Sequence, residues 1–301
     1  MVSRIKFVWC GLLALAVFLF ASVGPVMAVP PSPGSGWQLV FSDEFNGTAL
    51  DLTRWNKHYW WGRTNSDNSE LEYYADDAFN FQNGYLRLSA DRRSMGGFQY
   101  TSGMIASHDK FSFQYGYVEI RARVPAGRGL WPAFWLLPAS RQYTSEIDVL
   151  EALGQEPTRV YMTNWDLNPN GNGDGFPIQS DYLGPDFSQA FHTYGVEWGP
   201  GMIIWYIDGT ERFRTRRAVP HQLMYIIANL AVGGDWPGSP DANTPFPSYY
   251  DIDYIRVYQQ TPALPFSTYL PMIADTTVHA EVQDDLMDAL CKHCCPRLQW
   301  R

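Results

Sequence analysis

The chain has 301 residues, a net charge of −9 and a pI near 5.1. This charge argues against nucleic acid or another polyanion as the main partner, because phosphate binding needs a basic face. Aromatic residues make up 16% and charged residues only 18%, enough to fill a sizeable core and still leave rings for a binding surface.

Arg4 and Lys6 precede an apolar run, Phe7 to Phe20, and then Val26-Met27-Ala28. This pattern is that of a secretory signal peptide cut after Ala28, which predicts a secreted, extracellular protein with no membrane contact after cleavage. Residues 29–36, rich in Pro, Ser and Gly, read as a flexible leader. The main domain is expected over 37–260. Its segments are short, aromatic or β-branched, and bounded by turn residues. They include Tyr85–Ala90 after Asn83-Gly84, Phe113–Val124, Tyr194–Trp198 and Met202–Ile207 around Gly199-Pro200-Gly201, Tyr225–Val232, and Tyr254–Tyr258. Helical periodicity is nearly absent before residue 281. The predicted fold class is all-β, an antiparallel sandwich or jelly roll. No cysteine lies between 29 and 290, so this domain must be held by its core. Residues 261–301 read as a linker and a tail carrying Cys291, Cys294 and Cys295 beside His293. That spacing lacks the two separated pairs of a usual metal site.

The segment Ser145-Glu146-Ile147-Asp148-Val149-Leu150-Glu151 carries the chemistry. Residues two apart in a strand share a face, so Glu146 and Asp148 point one way while Ile147 and Val149 point to the core. Glu151 joins the acidic face only if one extra residue is bulged out between 148 and 151. Crowded carboxylates repel, which raises at least one pKa. One ionised and one protonated carboxyl is what glycoside cleavage requires. A solvated acidic edge strand and a calcium cluster are the alternatives at this level. Upstream, Trp131 and Trp135 lie four apart and share a face in a regular strand. Indole rings stack on the C–H faces of sugars, so these residues suggest a saccharide cleft.

These motifs resemble glycoside hydrolase family 16, within it the laminarinase-like endo-β-1,3-glucanases. The resemblance rests on Glu146-Ile-Asp148-Val-Leu-Glu151 followed by Gly154, on Phe41-Ser-Asp43-Glu44-Phe45, on Glu70-Leu-Glu72-Tyr73-Tyr74, on the Trp131–Pro138 run, on Phe191-His192-Thr-Tyr194-Gly-Val-Glu197-Trp198, on Asn229-Leu-Ala-Val-Gly-Gly234, and on Asp253-Tyr254-Ile-Arg256-Val257-Tyr258. It implies a β-jelly roll with a saccharide groove on its concave sheet and hydrolysis with retention. Carried over, Glu146 is the nucleophile, Glu151 the general acid/base, and Asp148 a hydrogen-bonding residue that tunes Glu146. The five-residue step from Glu146 to Glu151 resembles laminarinases, agarases and carrageenases, whereas lichenases lack the extra residue. The chain has no dense basic run for a sulfated polymer.

The resemblance also implies that Asn229 and Trp236 line the groove. Gln155 departs from the basic residue or Asn usual after the Gly. Trp165 stands where relatives often carry a His, and is expected to stack in place of hydrogen bonding. A structural calcium is implied at Glu44, the carbonyl of Gly84, and Asp253, hard oxygen donors suited to that ion; catalysis needs no cofactor. The expected partner is a β-glucan polysaccharide, cleaved by a monomer. An agarase-like galactan hydrolase and a non-catalytic β-glucan-binding protein are the other readings.

Overall fold

Short, β-rich segments punctuated by turns become strands throughout the computed structural model, which describes residues 36–166 and 177–261. The expected signal peptide, nearly all of the leader, and the tail with its three cysteines lie outside the described residues. In chain order the strands are β1 (Trp37–Asp43), β2 (Glu72–Tyr74), β3 (Phe79–Gln82), β4 (Tyr85–Ala90), β5 (Tyr100–Ser102), β6 (Met104–Ala106), β7 (Gly116–Arg123) and β8 (Leu130–Pro138). They continue with β9 (Ser145–Glu151), β10 (Arg159–Asp166), β11 (Pro177–Leu183), β12 (His192–Gly199), β13 (Met202–Ile207), β14 (Thr210–Thr215), β15 (Met224–Val232) and β16 (Ser248–Gln260). Among the described residues the one helical element is a 3₁₀ turn, Ser66–Asn68.

Two antiparallel sheets form a jelly-roll sandwich. One has the order β14-β13-β12-β7-β16-β4-β3, with β1 also pairing with β16. The other has the order β11-β10-β9-β8-β15-β6. A small parallel pair, β2 with β5, lies apart from these. The β3–β4 hairpin closes through Asn83 and Gly84, both at positive φ (53° and 80°). This is the two-residue geometry whose twist matches the strands, and it explains the Asn-Gly pair.

Alternation decides what each sheet buries. In β8, Leu130, Phe134 and Leu136 face the core, as do Val160 and Met162 in β10 and Ile226, Ala228, Leu230 and Val232 in β15. Against them pack Val118 and Ile120 of β7, Trp205 of β13, and Ile255 and Val257 of β16. Each fully buried aliphatic or aromatic side chain contributes roughly 1.5–3 kcal/mol. A core of this extent holds the two layers without a cross-link, as the cysteine-free stretch requires. The opposite face of the six-stranded sheet is thereby free to carry a site.

Candidate active site

Both neighbours of β9 report the same irregularity. Against β8 the register runs Ala133 to Glu151, Phe134 to Leu150, then Trp135 to Asp148. Against β10 it runs Tyr161 to Glu151, then Thr163 to Asp148. Two residues of β9 therefore oppose one of β10 between Asp148 and Glu151, and Val149 is the residue left over against β8. This is the expected bulge. Val149 and Leu150 both enter the core, which two consecutive residues of a regular strand do not do. After them Glu151 returns to the outer face with Glu146.

That face forms the floor of a groove of about 820 Å³. Its lining includes Trp131, Ala133 and Trp135 from β8, Glu146 and Glu151 from β9, Thr163 and Trp165 from β10, Gln179 from β11, and Asn229 and Ala231 from β15. Trp236, reached past the end of β15, closes one wall, its ring edge-on to Trp131 at 5.4 Å and to Tyr161 at 4.8 Å. The structure thus brings together Trp131, Trp135, Glu146, Glu151, Trp165, Asn229 and Trp236. Asp148 lies just beneath them and is almost fully buried.

Each carboxylate has an aromatic partner. Tyr143 donates its hydroxyl to Glu146 Oε2. The Trp165 indole donates to Asp148 Oδ2 at 3.1 Å, and that of Trp131 to Glu151 Oε1 at 3.1 Å. Trp165 therefore supplies a hydrogen bond, where stacking in its place had been expected. Its ring spans from the position opposite Glu146 to the neighbouring acid. Burial raises Glu146 to about 7, against the pull of hydrogen bonds from Tyr143 and Asp148. Burial, then the charge of Glu146, raises Glu151 to about 8. Burial raises Asp148 well above the carboxylate range, and the charges of Glu146 and Glu151 add to it. Burial and both neighbouring charges thus favour the protonated form of Asp148, beside Glu146. The arrangement holds one carboxyl ready to ionise and another ready to donate a proton, the division of labour that acid-assisted displacement needs.

Several groove residues carried no sequence signal for this site. Tyr59, Trp60 and Trp61 form an aromatic end, with Tyr59 and Trp61 stacked at 4.3 Å. Tyr143 reaches in from the β8–β9 loop. Trp60-Trp61 is a visible pair in the sequence, but nothing there ties it to a sheet 70 residues downstream. Outside the groove, His192 bonds Asp208 (2.7 Å) and Glu197 accepts from Tyr206 (3.1 Å).

The carboxylates expected to hold calcium have other partners. Both oxygens of Glu44 accept from Arg256, at 2.9 and 2.7 Å. Asp253 pairs with Arg121. Gly84 serves the β3–β4 turn. Calcium would have to displace two guanidinium groups, so these residues as arranged do not fit the ion.

The model for glycosyl hydrolases family 16 matches residues 65–256. The chain is 34% identical over 275 residues to a glucan endo-1,3-beta-glucosidase A1 of Niallia circulans, covering 78% of this chain and 40% of that protein. It is 36% identical over 241 residues to the endo-1,3-1,4-beta-glycanase ExsH of Rhizobium meliloti (strain 1021), covering 72% and 51%. The chain therefore spans about half or less of the length of these relatives. It superposes on an endo-beta-1,3-glucanase structure from Pyrococcus furiosus with a TM-score of 0.68 and 35% identity, covering 74% of this chain and 94% of that one. A family match across most of the sandwich, joined to a bulged acidic strand in an indole-lined groove, makes this chain a member of glycosyl hydrolase family 16.

Proposed function

We propose that this protein is an exported endo-acting β-1,3-glucanase that cleaves with retention, using Glu146 as nucleophile and Glu151 as general acid/base. The observation that carries this reading is the bulge at Val149-Leu150, which turns three carboxylates to one side of β9 under a wall of indoles. The printed activities of the two relatives, on 1,3- and on 1,3-1,4-linked β-glucans, support the substrate class.

In the first step Glu146 attacks the anomeric carbon while Glu151 gives its proton to the departing glycosidic oxygen. The product is a glycosyl ester on Glu146 and a free reducing-side chain. In the second step the Glu151 carboxylate takes a proton from water as that water attacks the anomeric carbon, and Glu146 leaves as carboxylate. Asp148 keeps its proton and donates to Glu146, stabilising the charge that returns there at the end of each turnover. The indoles of Trp131, Trp135, Trp165 and Trp236 offer flat apolar faces for glucose rings, and Asn229 adds a polar edge.

A reducing-sugar assay on laminarin, barley β-glucan, agarose, carrageenan and xyloglucan tests the proposal. Laminarin cleavage is expected, with barley β-glucan the next best substrate. Activity confined to agarose would replace the glucan reading with the galactan one, and binding without cleavage would make the chain a lectin. Proton NMR of the first products should show the β-anomer. Export is supported by residues 1–28, and an N-terminus beginning at Val29 on the recovered protein would establish it.

A further inference from the structure

A second pair of glutamates lies outside the catalytic strand, Glu70 at the groove wall beside Asn65 and Asn68, and Glu72 buried behind it. Glu70, Glu72 and Tyr74 alternate, so all three project from one side of β2 and the residues leading into it. All three are buried. Glu70 Oε1 accepts from Asn65 Nδ2 at 2.9 Å and from Asn68 Nδ2 at 3.0 Å, and Glu70 Oε2 accepts from the Tyr74 hydroxyl at 3.4 Å. The chain of bonds continues. Asn229 Nδ2 donates to the Tyr74 oxygen at 3.0 Å, and the Trp135 indole donates to Asn229 Oδ1 at 2.8 Å. From Glu70 to Trp135 every link is a direct hydrogen bond, and the far end is an indole on the groove floor. Glu72 braces the same region differently, accepting from the Val232 backbone N–H at 2.8 Å, where β15 ends and the turn toward Trp236 begins.

Burying two carboxyls is costly unless donors surround them. Here the donors give the bonds a direction. With Glu70 accepting, the Tyr74 hydroxyl must point its hydrogen at Glu70 and is left as an acceptor toward Asn229. Asn229 must then turn its NH₂ to Tyr74 and its oxygen to Trp135. A carboxylate at the start of the chain thereby sets the amide orientation and the indole edge at its end. Glu72 Oε1 meets no donor, and a proton on that oxygen, shared with Glu70, satisfies it. Burial and the charge of Glu70 hold Glu72 well above the usual carboxylate range, in keeping with that proton.

We infer that Glu70 is a positioning residue for substrate binding, orienting the Trp135 stacking face through Tyr74 and Asn229. This rests on the glucanase reading for the identity of the sugar, but the positioning itself is readable without substrate. The test uses the full chain with Glu70→Gln, Tyr74→Phe and the double variant. Indole N–H signals are followed by ¹H–¹⁵N NMR, with the Trp135 signal assigned from Trp135→Phe. The Trp135 N–H is expected to shift and to lose protection from exchange in each variant, while the Trp198 signal, from a buried indole of the eight-stranded sheet bonded to the Pro220 carbonyl at 3.0 Å, stays in place as a control for folding. On laminarin, KM should rise about 10-fold with kcat changed less than about 2-fold, and the double variant should lose no more than the worse single one, as members of one network do. An unmoved Trp135 signal, additive losses, or a fall in kcat at constant KM would each overturn the inference. If the unmodified protein hydrolyses no β-glucan, the functional reading fails while the NMR result still decides the positioning.

Discussion

Trp205, on β13 of the eight-stranded sheet, donates its indole N–H across the core to the backbone carbonyl of Asp148 at 2.8 Å. Asp148 is the residue at which the bulge in β9 begins, and a bulge disrupts the local ladder. A donor from the opposite sheet thus holds the backbone at the point where the acidic strand departs from regularity. The bond is fully buried, since Trp205 has no exposed surface.

Replacing that donor tests its importance. Trp205→Phe leaves a buried carbonyl without this partner, costing about 1–3 kcal/mol, beyond the loss of part of the ring. At this chain length each kcal/mol moves Tm by about 2–4 °C. The expected result is a lower Tm by calorimetry together with a reduced kcat, because the Asp148 backbone positions Glu146 and Glu151. A lower Tm with kcat unchanged would confine Trp205 to stability.

The three carboxylates should differ in their effects. Glu146→Gln and Glu151→Gln are each expected to lower kcat by at least about 10³-fold while oligosaccharide binding persists, since each removes one half of the proposed two-carboxylate mechanism. Asp148→Asn keeps a donor toward Glu146 but lacks an ionisable proton, and is expected to lose about 10–100-fold. Near-normal turnover of laminarin by either Gln variant would exclude the assigned roles.

Trp165→Phe separates stacking from hydrogen bonding. The aromatic face is largely kept and the donor to Asp148 is lost. A fall in kcat of about 10-fold with KM nearly constant is expected, corresponding to about 1.4 kcal/mol. A change only in KM would mean that Trp165 acts through its face.

The pH dependence follows from burial. The proposed roles need Glu146 ionised and Glu151 protonated, so kcat/KM should rise as pH passes about 7 and fall as it passes about 8. The stability effect has its own sign. These groups bind protons more tightly folded than unfolded, where a Glu titrates near 4.3. Their stabilising contribution is complete below about pH 4.3 and is lost as pH climbs through about 7 and 8. Urea unfolding at pH 6 and pH 9 should show the protein weaker at pH 9, and Glu151→Gln should shrink that difference. A stability that rises over this range would contradict the burial of the triad.

Chelation addresses the Glu44 and Asp253 carboxylates. A ligand present at 100 times its Kd adds about 2.7 kcal/mol, or roughly 5–10 °C in Tm at this size. With Arg256 and Arg121 already paired to these groups, Tm is expected to move by less than about 2 °C between excess EDTA and millimolar calcium. A shift of the larger size would mean that the arginine pairs give way to the ion.

Much of the sandwich is legible in local pattern. Tyr85–Ala90 and Met202–Ile207 are strands with the expected ends, and the Asn83-Gly84 turn is the one its residues prescribe. The bulge is legible too, because Glu151 cannot share a face with Glu146 without it. Other features were not. Tyr143 bonds Glu146 only because the β8–β9 loop folds back over the groove. Glu44 and Asp253 look like oxygen donors in sequence, yet arginines two strand positions or one strand away reach them first.

Residue order therefore determined the fold class, the acidic face of β9 and the indoles beside it, since side-chain alternation and turn chemistry are local and a period of two leaves little freedom. Tertiary structure alone decided which donors reach those acids: Tyr143, Trp131 and Trp165 at the groove, Trp205 from across the core, and Tyr74 linking Glu70 to Asn229. The Trp205 bond, 57 positions long, depends on how the two sheets face each other, and the Asn229–Tyr74 bond, 155 positions long, on where β2 packs beside β15; no local pattern encodes either distance.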